Sequence, residues 1–514
     1  MVSCKLKKSV FSFLFFLNAC SLNADYATQR LMKDAVRSEK FSQAVALAKS
    51  EDFYSGDASR MIKYVDLGTA HYLNGEYYQA LQNFDKAQAL AKEQYTKSIS
   101  KTIAGFVGGD AMTEYEAPAY ELSLLRFYIS LTHYRLYQTG KYEAYEVEDP
   151  SLPEGKKVFS EKQLTPSEKR KHLNASRATV LEWVSFLQEH FSETAGKRTF
   201  KRDMLAKTWG GFVHNAYGKT GDRQIAKQLY RDVDKILLQN YNLYSVYNEK
   251  HEKYADDYDD LPEIGEKKVR EDYVSATDKA KNLLRFAKER EKNLSARNKD
   301  NLHVVLKTGL VVSKEEETVS FVVPWEILLF GHADDHDFRN FITLALAGEK
   351  IEFKIPAVKK PVLPDGYEIS FKKENAQKDF LKKQAALVEP VSEIVYYEFE
   401  QKRAGMIAQK GAFTGAKYAA ALWSAYALWD KEDSFKQIMA VAAFKGAAAS
   451  IRSSDSVDLR HWSLLPDNIW QQSFYLPEGT YIMTVLRKNT PVHTQKVDIK
   501  GENIVSLDIN LVSE

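Results

Sequence analysis

Apolar side chains recur every three to four residues from Tyr26 to about Ala296, and Gly and Pro fall between the periodic segments. That spacing lines one face of an α-helix, so the first half of the chain is predicted to be a succession of helices. Around Leu302 the period drops to two. LHVVLKTGLVV, TVSFVVP, FITLALA and IEFKIP read as strands with turn-like separators. A helical block interrupts them from about Glu374 to Ser453. Its second half (AGMIAQKGAFTGAKYAAALWSAYALW, then MAVAAFKGAAAS) is dense in Ala and Gly and predicts a tightly packed helical hairpin. The pattern then returns to strands in QQSFYL, TYIMTVL, TQKVDI and IVSLDINL, with Pro477-Glu478-Gly479 placed as a tight hairpin turn between the first two. Strands on both sides of the helical block are expected to complete one β unit, with few contacts crossing from the first-half helices.

Within the helical half, Met61 to Gln94 resembles a tetratricopeptide repeat. Tyr64, Leu67 and Gly68 lie on one helix, Gly75 marks the turn, and Ala80, Phe84 and Ala87 lie on the next. Small Gly68 and Ala80 would admit close helix approach while Tyr64, Leu67 and Phe84 fill the space between. A second unit begins near Lys207, with Tyr217, Gly221, Ala226 and Tyr230 at the matching places. Between the two, the helix Leu124 to Gly140 has its partner postponed by a Glu-, Pro- and Lys-rich insertion, Val147 to Ser167, and resumed from Arg170 to Phe191. Residues 249–266 read as a charged linker, followed by one helix from Lys267 to Ala296.

The chain opens with Lys5, Lys7 and Lys8, then an apolar run from Val10 to Leu17, then Leu17-Asn18-Ala19-Cys20. This resembles the signal of a bacterial lipoprotein, cut before Cys20 and acylated there, with Asn18 departing from the preferred small or apolar residue. A plain secretory signal cut after Ala24 is the competing reading, and Leu22 fits it poorly. Formal charge is +2, from 72 basic and 70 acidic residues, which gives no footprint for nucleic acid. Cys4 and Cys20 are the two cysteines, so a chain processed at Cys20 forms no internal disulfide.

Few positions suggest chemistry. His332-Ala333-Asp334-Asp335-His336-Asp337 carries His and Asp at spacings that could ligate a divalent ion on a helix, yet Gly331 and the Asp run predict a solvated loop. Asp256-Asp257-Tyr258-Asp259-Asp260 lacks the Gly and the closing Glu of a calcium loop. Gly218-Lys219-Thr220 lacks the earlier Gly of a phosphate loop, where Val213 stands, and reads as the turn of the second repeat. No catalytic residue, metal site or cofactor is assigned. The aromatic-rich helices could offer a peptide groove.

Three segments taken together carry a further resemblance: Gly108-Gly109-Asp110 through EYEAPAYELSLLRFYISLTHYRL, then HLNASRATVLEW, then DLRHWSLLPDNIWQQSFYLPEGTY. They resemble an uncharacterised family of bacterial tetratricopeptide-type lipoproteins, best in Asp458-Leu459-Arg460-x-Trp462-x-x-Leu465-Pro466 and the Leu476-Pro477-Glu478-Gly479 turn. Tyr475 to Leu511 is also similar to the small β-sandwich domains called PEGA. The resemblance implies an exported, lipidated, non-enzymatic protein with unknown envelope proteins as partners, and Ser21 after the acylated cysteine, in place of the Asp associated with inner-membrane retention, gives by analogy the expectation of an outer-membrane anchor facing the periplasm. The expected architecture is multidomain α + β: a signal at 1–19, a TPR-like helical solenoid at 20–248, a charged linker and helix at 249–301, and a β-sandwich-like domain at 302–514 with the inserted helical hairpin. Asp458, Arg460 and Trp462 are expected to dock the hairpin on the β domain or to bind a partner. The competing functions are a metal-dependent hydrolase of envelope polymers through His332 and His336, and a subunit of a secretion or surface assembly complex.

Overall fold

The computed structural model describes residues 25–100, 114–148, 155–192, 203–239, 241–251, 276–296, 299–321, 336–374, 376, 378–500 and 504–513. Cys20, Gly108 to Asp110, the Asp256 to Asp260 run and His332 lie outside the described residues. The architecture is mixed α and β.

Helices α1 (25–37), α2 (Phe41–Lys49), α3 (Arg60–Leu73), α4 (Tyr77–Ser100), α5 (Ala119–Thr139), α6 (Pro166–Ser192), α7 (Met204–Tyr217) and α8 (Thr220–Gln239) follow in order. Neighbours pack in pairs, α3 on α4, α5 on α6 and α7 on α8. The same local solution recurs in the first and third pairs. A Cβ at Gly68 would stand 2.7 Å from the Phe84 ring, and one at Gly211 would stand 2.7 Å from the Tyr230 ring. The aromatic ring thus occupies the space that any other residue would fill, which fixes glycine at both crossings. Ala80 and Ala87 are buried beside Phe84, Leu67 is buried and Tyr64 half-buried. The turns within the first and third pairs use left-handed Gly75 (φ 79°) and Gly218 (φ 82°), while Gly221 falls inside α8. Between α5 and α6 the chain forms two short ribbons, β1 (Lys141–Tyr142) with β4 (Lys162–Gln163), and β2 (Tyr145–Glu148) with β3 (Lys156–Phe159). Thr165 and Glu168 then start α6 as a capping box: Glu168 accepts from the Thr165 N–H at 2.8 Å and the Thr165 hydroxyl accepts from the Glu168 N–H at 3.3 Å. Helix α9 (Asp278–Asn293), capped by Thr277, lies on α8.

The remaining elements are β5 (Leu302–Thr308), β6 (Lys314–Phe321), α10 (His336–Ala345), β7 (Ile351–Val358), β8 (Tyr367–Lys373), β9 (Leu381–Gln384), β10 (Ala386–Glu389), α11 (Val391–Tyr426), α12 (Ser434–Ser454), β11 (Asn468–Phe474), β12 (Gly479–Arg487), β13 (Thr490–Ile499) and β14 (Val505–Leu511). One four-stranded sheet has the order β10-β11-β5-β14, with β14 parallel to β5; the other has the order β13-β12-β8-β9 and is antiparallel throughout. Tyr367 meets Trp470 at 5.2 Å and Phe371 meets Phe474 at 4.8 Å, so the two sheets share aromatic packing. Strand β5 is buried along its whole length. Its other face rests on the helices: His303 stacks on Phe212 at 4.1 Å and the Lys307 ammonium stands over the Tyr72 ring at 4.3 Å. A buried strand of this kind reads as a continuous run, not an alternation.

Four expectations are corrected here. FITLALA is not a strand. It ends α10, because Phe338, Phe341, Ile342 and Ala345 share one buried helical face and outweigh the local alternation. The same helix begins at His336, which is exposed at its first turn instead of lying in a loop. The helical block begins at Val391, since Leu381–Gln384 and Ala386–Glu389 are short strands whose backbone groups pair with β8 and β11. Pro477-Glu478-Gly479 does not close a hairpin, since β11 and β12 belong to different sheets; the tight hairpin turn is Lys488-Asn489, joining β12 to β13 with both residues at positive φ.

Helices α11 and α12 pair through Tyr418, Leu422, Ala440, Phe444 and Ala448, and with α10 they form a small core separate from the main one. The glycines, unlike Ala440 and Ala448, are not spent on that contact. Side chains added at Gly405, Gly415 and Gly446 would meet nothing within 4 Å, while Gly411 faces the Phe353 ring at 3.5 Å.

Candidate functional site

The segment from Asp458 to Leu465 leaves α12 and threads between the N-terminal helices and the sheets. Asp458 takes three bonds from Arg460, the backbone N–H at 2.9 Å, Nε at 2.9 Å and Nη2 at 2.8 Å, which folds the guanidinium into a two-pronged fork. The third guanidinium nitrogen, Nη1, donates to the Ala58 carbonyl at 3.1 Å and to the Ser59 hydroxyl at 3.2 Å at the start of α3. Lys314 on β6 grips the Arg460 carbonyl at 2.8 Å. The Leu459 N–H reaches the Tyr26 hydroxyl at 2.9 Å, and Gln29 donates to the His461 carbonyl at 3.1 Å.

Trp462 is fully buried. Its ring lies 5.4 Å from that of Tyr128 and 6.1 Å from that of Phe84, and its indole N–H donates to the Thr69 hydroxyl at 2.9 Å. Its backbone N–H donates to Glu121 at 3.0 Å. Asp66 on α3 then accepts from the Ser463 N–H at 3.0 Å, the Ser463 hydroxyl at 3.0 Å and the Leu464 N–H at 3.2 Å. Two helix-borne carboxylates therefore satisfy three consecutive backbone donors of an irregular segment that turns at Ser463-Leu464, as buried polar groups require.

The electrostatics follow from that burial. Asp66 is pushed up to about 7 by loss of solvent, against the pull of its Ser463, Leu464 and Gln29 bonds. Glu121 is raised for the same reason, with the Trp462 N–H and the Tyr115 hydroxyl at 2.7 Å opposing. Burial drives His461 down to about 3 and Lys33 down to about 8; the latter spends its ammonium on the Val311 carbonyl at 2.9 Å and the Ser313 hydroxyl at 2.8 Å. Farther along, Glu389 on β10 accepts from Tyr241 at 2.8 Å, and Glu393 on α11 accepts from Ser245 and from the Val246 N–H at 3.2 Å. The same device thus fastens the segment after α8.

Asp458, Arg460 and Trp462 accordingly face α3 and α5 as well as the β6 strand. The expectation that few contacts cross from the first-half helices is overturned, because Asp66, Thr69 and Glu121 hold this segment directly. Sequence reasoning missed Asp66 and Glu121. Their signal was present: each is a lone acid on an apolar stretch, Val65-Asp66-Leu67 and Tyr120-Glu121-Leu122. The repeat residues Tyr64, Leu67, Gly68, Gly75, Ala80, Phe84 and Ala87 lie on or between α3 and α4, and Phe84 touches Trp462.

Among the described residues no group of three His, Cys, Asp or Glu is placed to hold a metal ion, and no helix is long and apolar enough to cross a membrane. No family model, curated protein or solved structure matches the chain.

Proposed function

We infer that the chain is a non-enzymatic envelope lipoprotein, acylated at Cys20 and facing the periplasm from the outer membrane, that acts as a protein-binding scaffold or assembly factor. In this reading the paired helices are a TPR-like array and the two four-stranded sheets a sandwich-like unit. The observation that carries it is the grip on residues 458–464. Asp66 and Glu121 read backbone N–H groups while Thr69, Phe84 and Tyr128 read an indole, so a helical surface holds a non-helical peptide by its main chain and one aromatic anchor. Here the peptide is the chain's own, so the inner surface is spent on fixing helices to sheets. The outer helical faces are then left for partners, on a frame held rigid by its own segment.

Metabolic labelling with a fatty acid, followed by crosslinking in cells, tests this. The wild-type chain incorporates label and yields defined crosslinks to envelope proteins, while Cys20→Ser incorporates none. Label retained by Cys20→Ser defeats the anchor. Turnover of an envelope polymer by the purified protein defeats the non-enzymatic reading.

A further inference from the structure

The three-helix lobe of α10, α11 and α12 exposes large apolar side chains, among them Trp423, one face of which stacks on Phe338 of the small core at 4.6 Å. Phe435 is 70% and Ile438 67% exposed, and Leu344, Trp423, Leu428 and Met439 are exposed with them. Phe435, Ile438 and Met439 share one face of α12 by their spacing. Trp423 lies in the last turn of α11 and Leu428 in the turn that follows it, and Leu344 lies on α10, which packs on α12. A lone exposed Leu needs no explanation, but a Phe, an Ile and a Met exposed on one helix face, with three more large apolar side chains exposed on the same lobe, mark a surface that is covered in use.

The charges around it name what covers it. From Gln401 to Trp429 and from Ser434 to Ser454 the chain has no Asp or Glu and seven Lys or Arg. Those nearest the root of the hairpin answer acids on other elements, as Lys410 does with Asp455 and Arg452 with Glu349. Beside the apolar face the lysines serve as a rim. Exposed Lys417 rests over the Phe413 ring at 4.5 Å and exposed Lys445 gives its ammonium to the Ala347 carbonyl at 3.3 Å, while Lys436, next to Phe435, pairs with Asp430 of the turn at 3.0 Å. The acids of the hairpin, Asp430, Glu432 and Asp433, are gathered in the turn, which argues against entry tip-first and for contact along the flank. A second copy would set two acid-free basic helices against each other if the pairing were two-fold. An apolar flank with aromatic anchors and a lysine rim suits one kind of surface, a bilayer with anionic headgroups.

We propose that the exposed flank of the α11–α12 hairpin, with Leu344 of α10, lies in the headgroup layer of an anionic membrane. This contact is separate from the acyl anchor and does not depend on it. The lobe would hold the molecule flat on the membrane, where an N-terminal tether alone would leave it free to pivot.

The test uses the whole mature chain with Cys20→Ser, so that no acyl chain contributes, and vesicles of phosphatidylcholine with or without an equal part of phosphatidylglycerol. The protein sediments with the anionic vesicles, and binding to pure phosphatidylcholine is weaker. The triple variant Phe435→Ser, Ile438→Ser, Met439→Ser loses roughly tenfold or more in vesicle affinity, since each side chain removes buried methylenes. Its melting temperature stays within that of the parent, because these side chains are exposed, and a second variant, Lys417→Glu with Lys445→Glu, weakens binding to anionic vesicles without touching the apolar face. No sedimentation of the parent with anionic vesicles overturns the proposal. So does equal binding by the triple variant, or a dimer of the parent in solution that the triple variant abolishes while vesicle binding is absent.

Discussion

Replacing Trp462 by Ala removes the largest side chain that the Asp458 to Leu465 segment inserts among the helices. The indole is fully buried between Tyr128 and Phe84. Truncating such a group costs about 3–5 kcal/mol, the spread reflecting how far the site collapses. Collapse is limited here, because Phe84 is already pressed onto Gly68 and cannot follow the void without opening that crossing. The lost bond to Thr69 adds little, since that hydroxyl keeps its own donation to the Val65 carbonyl at 2.8 Å. The Glu121 bond survives because its donor is the backbone. The expected total is therefore about 4 kcal/mol, with Trp462→Phe costing roughly half of it by retaining a ring. Urea denaturation gives the magnitude, and hydrogen exchange read separately on α3, α5, β5 and β11 gives its distribution. All four should lose protection together in Trp462→Ala. Loss confined to β5 and β11, with α3 and α5 opening as in the parent, would refute the claim that this segment fastens helices to sheet.

Other expectations follow from single residues. Gly68→Ala should destabilise by about 1–3 kcal/mol, because its Cβ would stand 2.7 Å from the Phe84 ring; an unchanged urea midpoint would count against that crossing. Asp66, raised to about 7 by burial, binds its proton more tightly folded than unfolded, so its stabilising contribution is full below about pH 4 and is lost as pH rises to about 7. That change amounts to roughly 4 kcal/mol, and Asp66→Asn should remove it; parallel stability profiles for the two proteins between these pH values would contradict the assignment. At the β12–β13 turn Lys488 and Asn489 hold φ of 49° and 66°, so Lys488→Asn with Asn489→Gly should raise stability by about 1 kcal/mol in a thermal melt.

Much of this fold was written locally, and what was not legible is non-local. The pairing of α3 with α4 could be read because Gly68 and Phe84 are sixteen positions apart on adjoining helices, within the reach of a repeat pattern. Most strands were legible from β-branched and aromatic runs. The α10 helix was missed because Ile342-Thr343-Leu344-Ala345 alternates as a strand would, while the deciding residues, Phe338 and Phe341, precede it. Strands β9 and β10 were missed because Leu381-Lys382-Lys383-Gln384 is short and charged and becomes a strand through its partner β8. The joint itself could not be read. Arg460 and Trp462 stood out as residues, but their partners on α3 and α5 are hundreds of positions away, and nothing local in Val65-Asp66-Leu67 says what an isolated acid will meet.

That distance has a consequence for how the molecule comes into being. Asp66 and Ser463 are separated by 397 positions and Glu121 and Trp462 by 341. At about 5–20 residues per second, ribosomal synthesis leaves α3 and α5 without the segment they hold for roughly 20–80 s. Throughout that interval Phe84, Tyr128, Asp66 and Glu121 lack the residues that cover them in the finished chain, so any helical structure formed early leaves apolar rings and two acids uncovered. The nascent helices are thus a receptor before they are a finished structure, and any holdase or exposed peptide that meets them early competes for the place of residues 458–465. A chain terminated upstream of Asp458 would keep these groups uncovered for good, making early termination a route to adhesive fragments as much as to loss of the β unit.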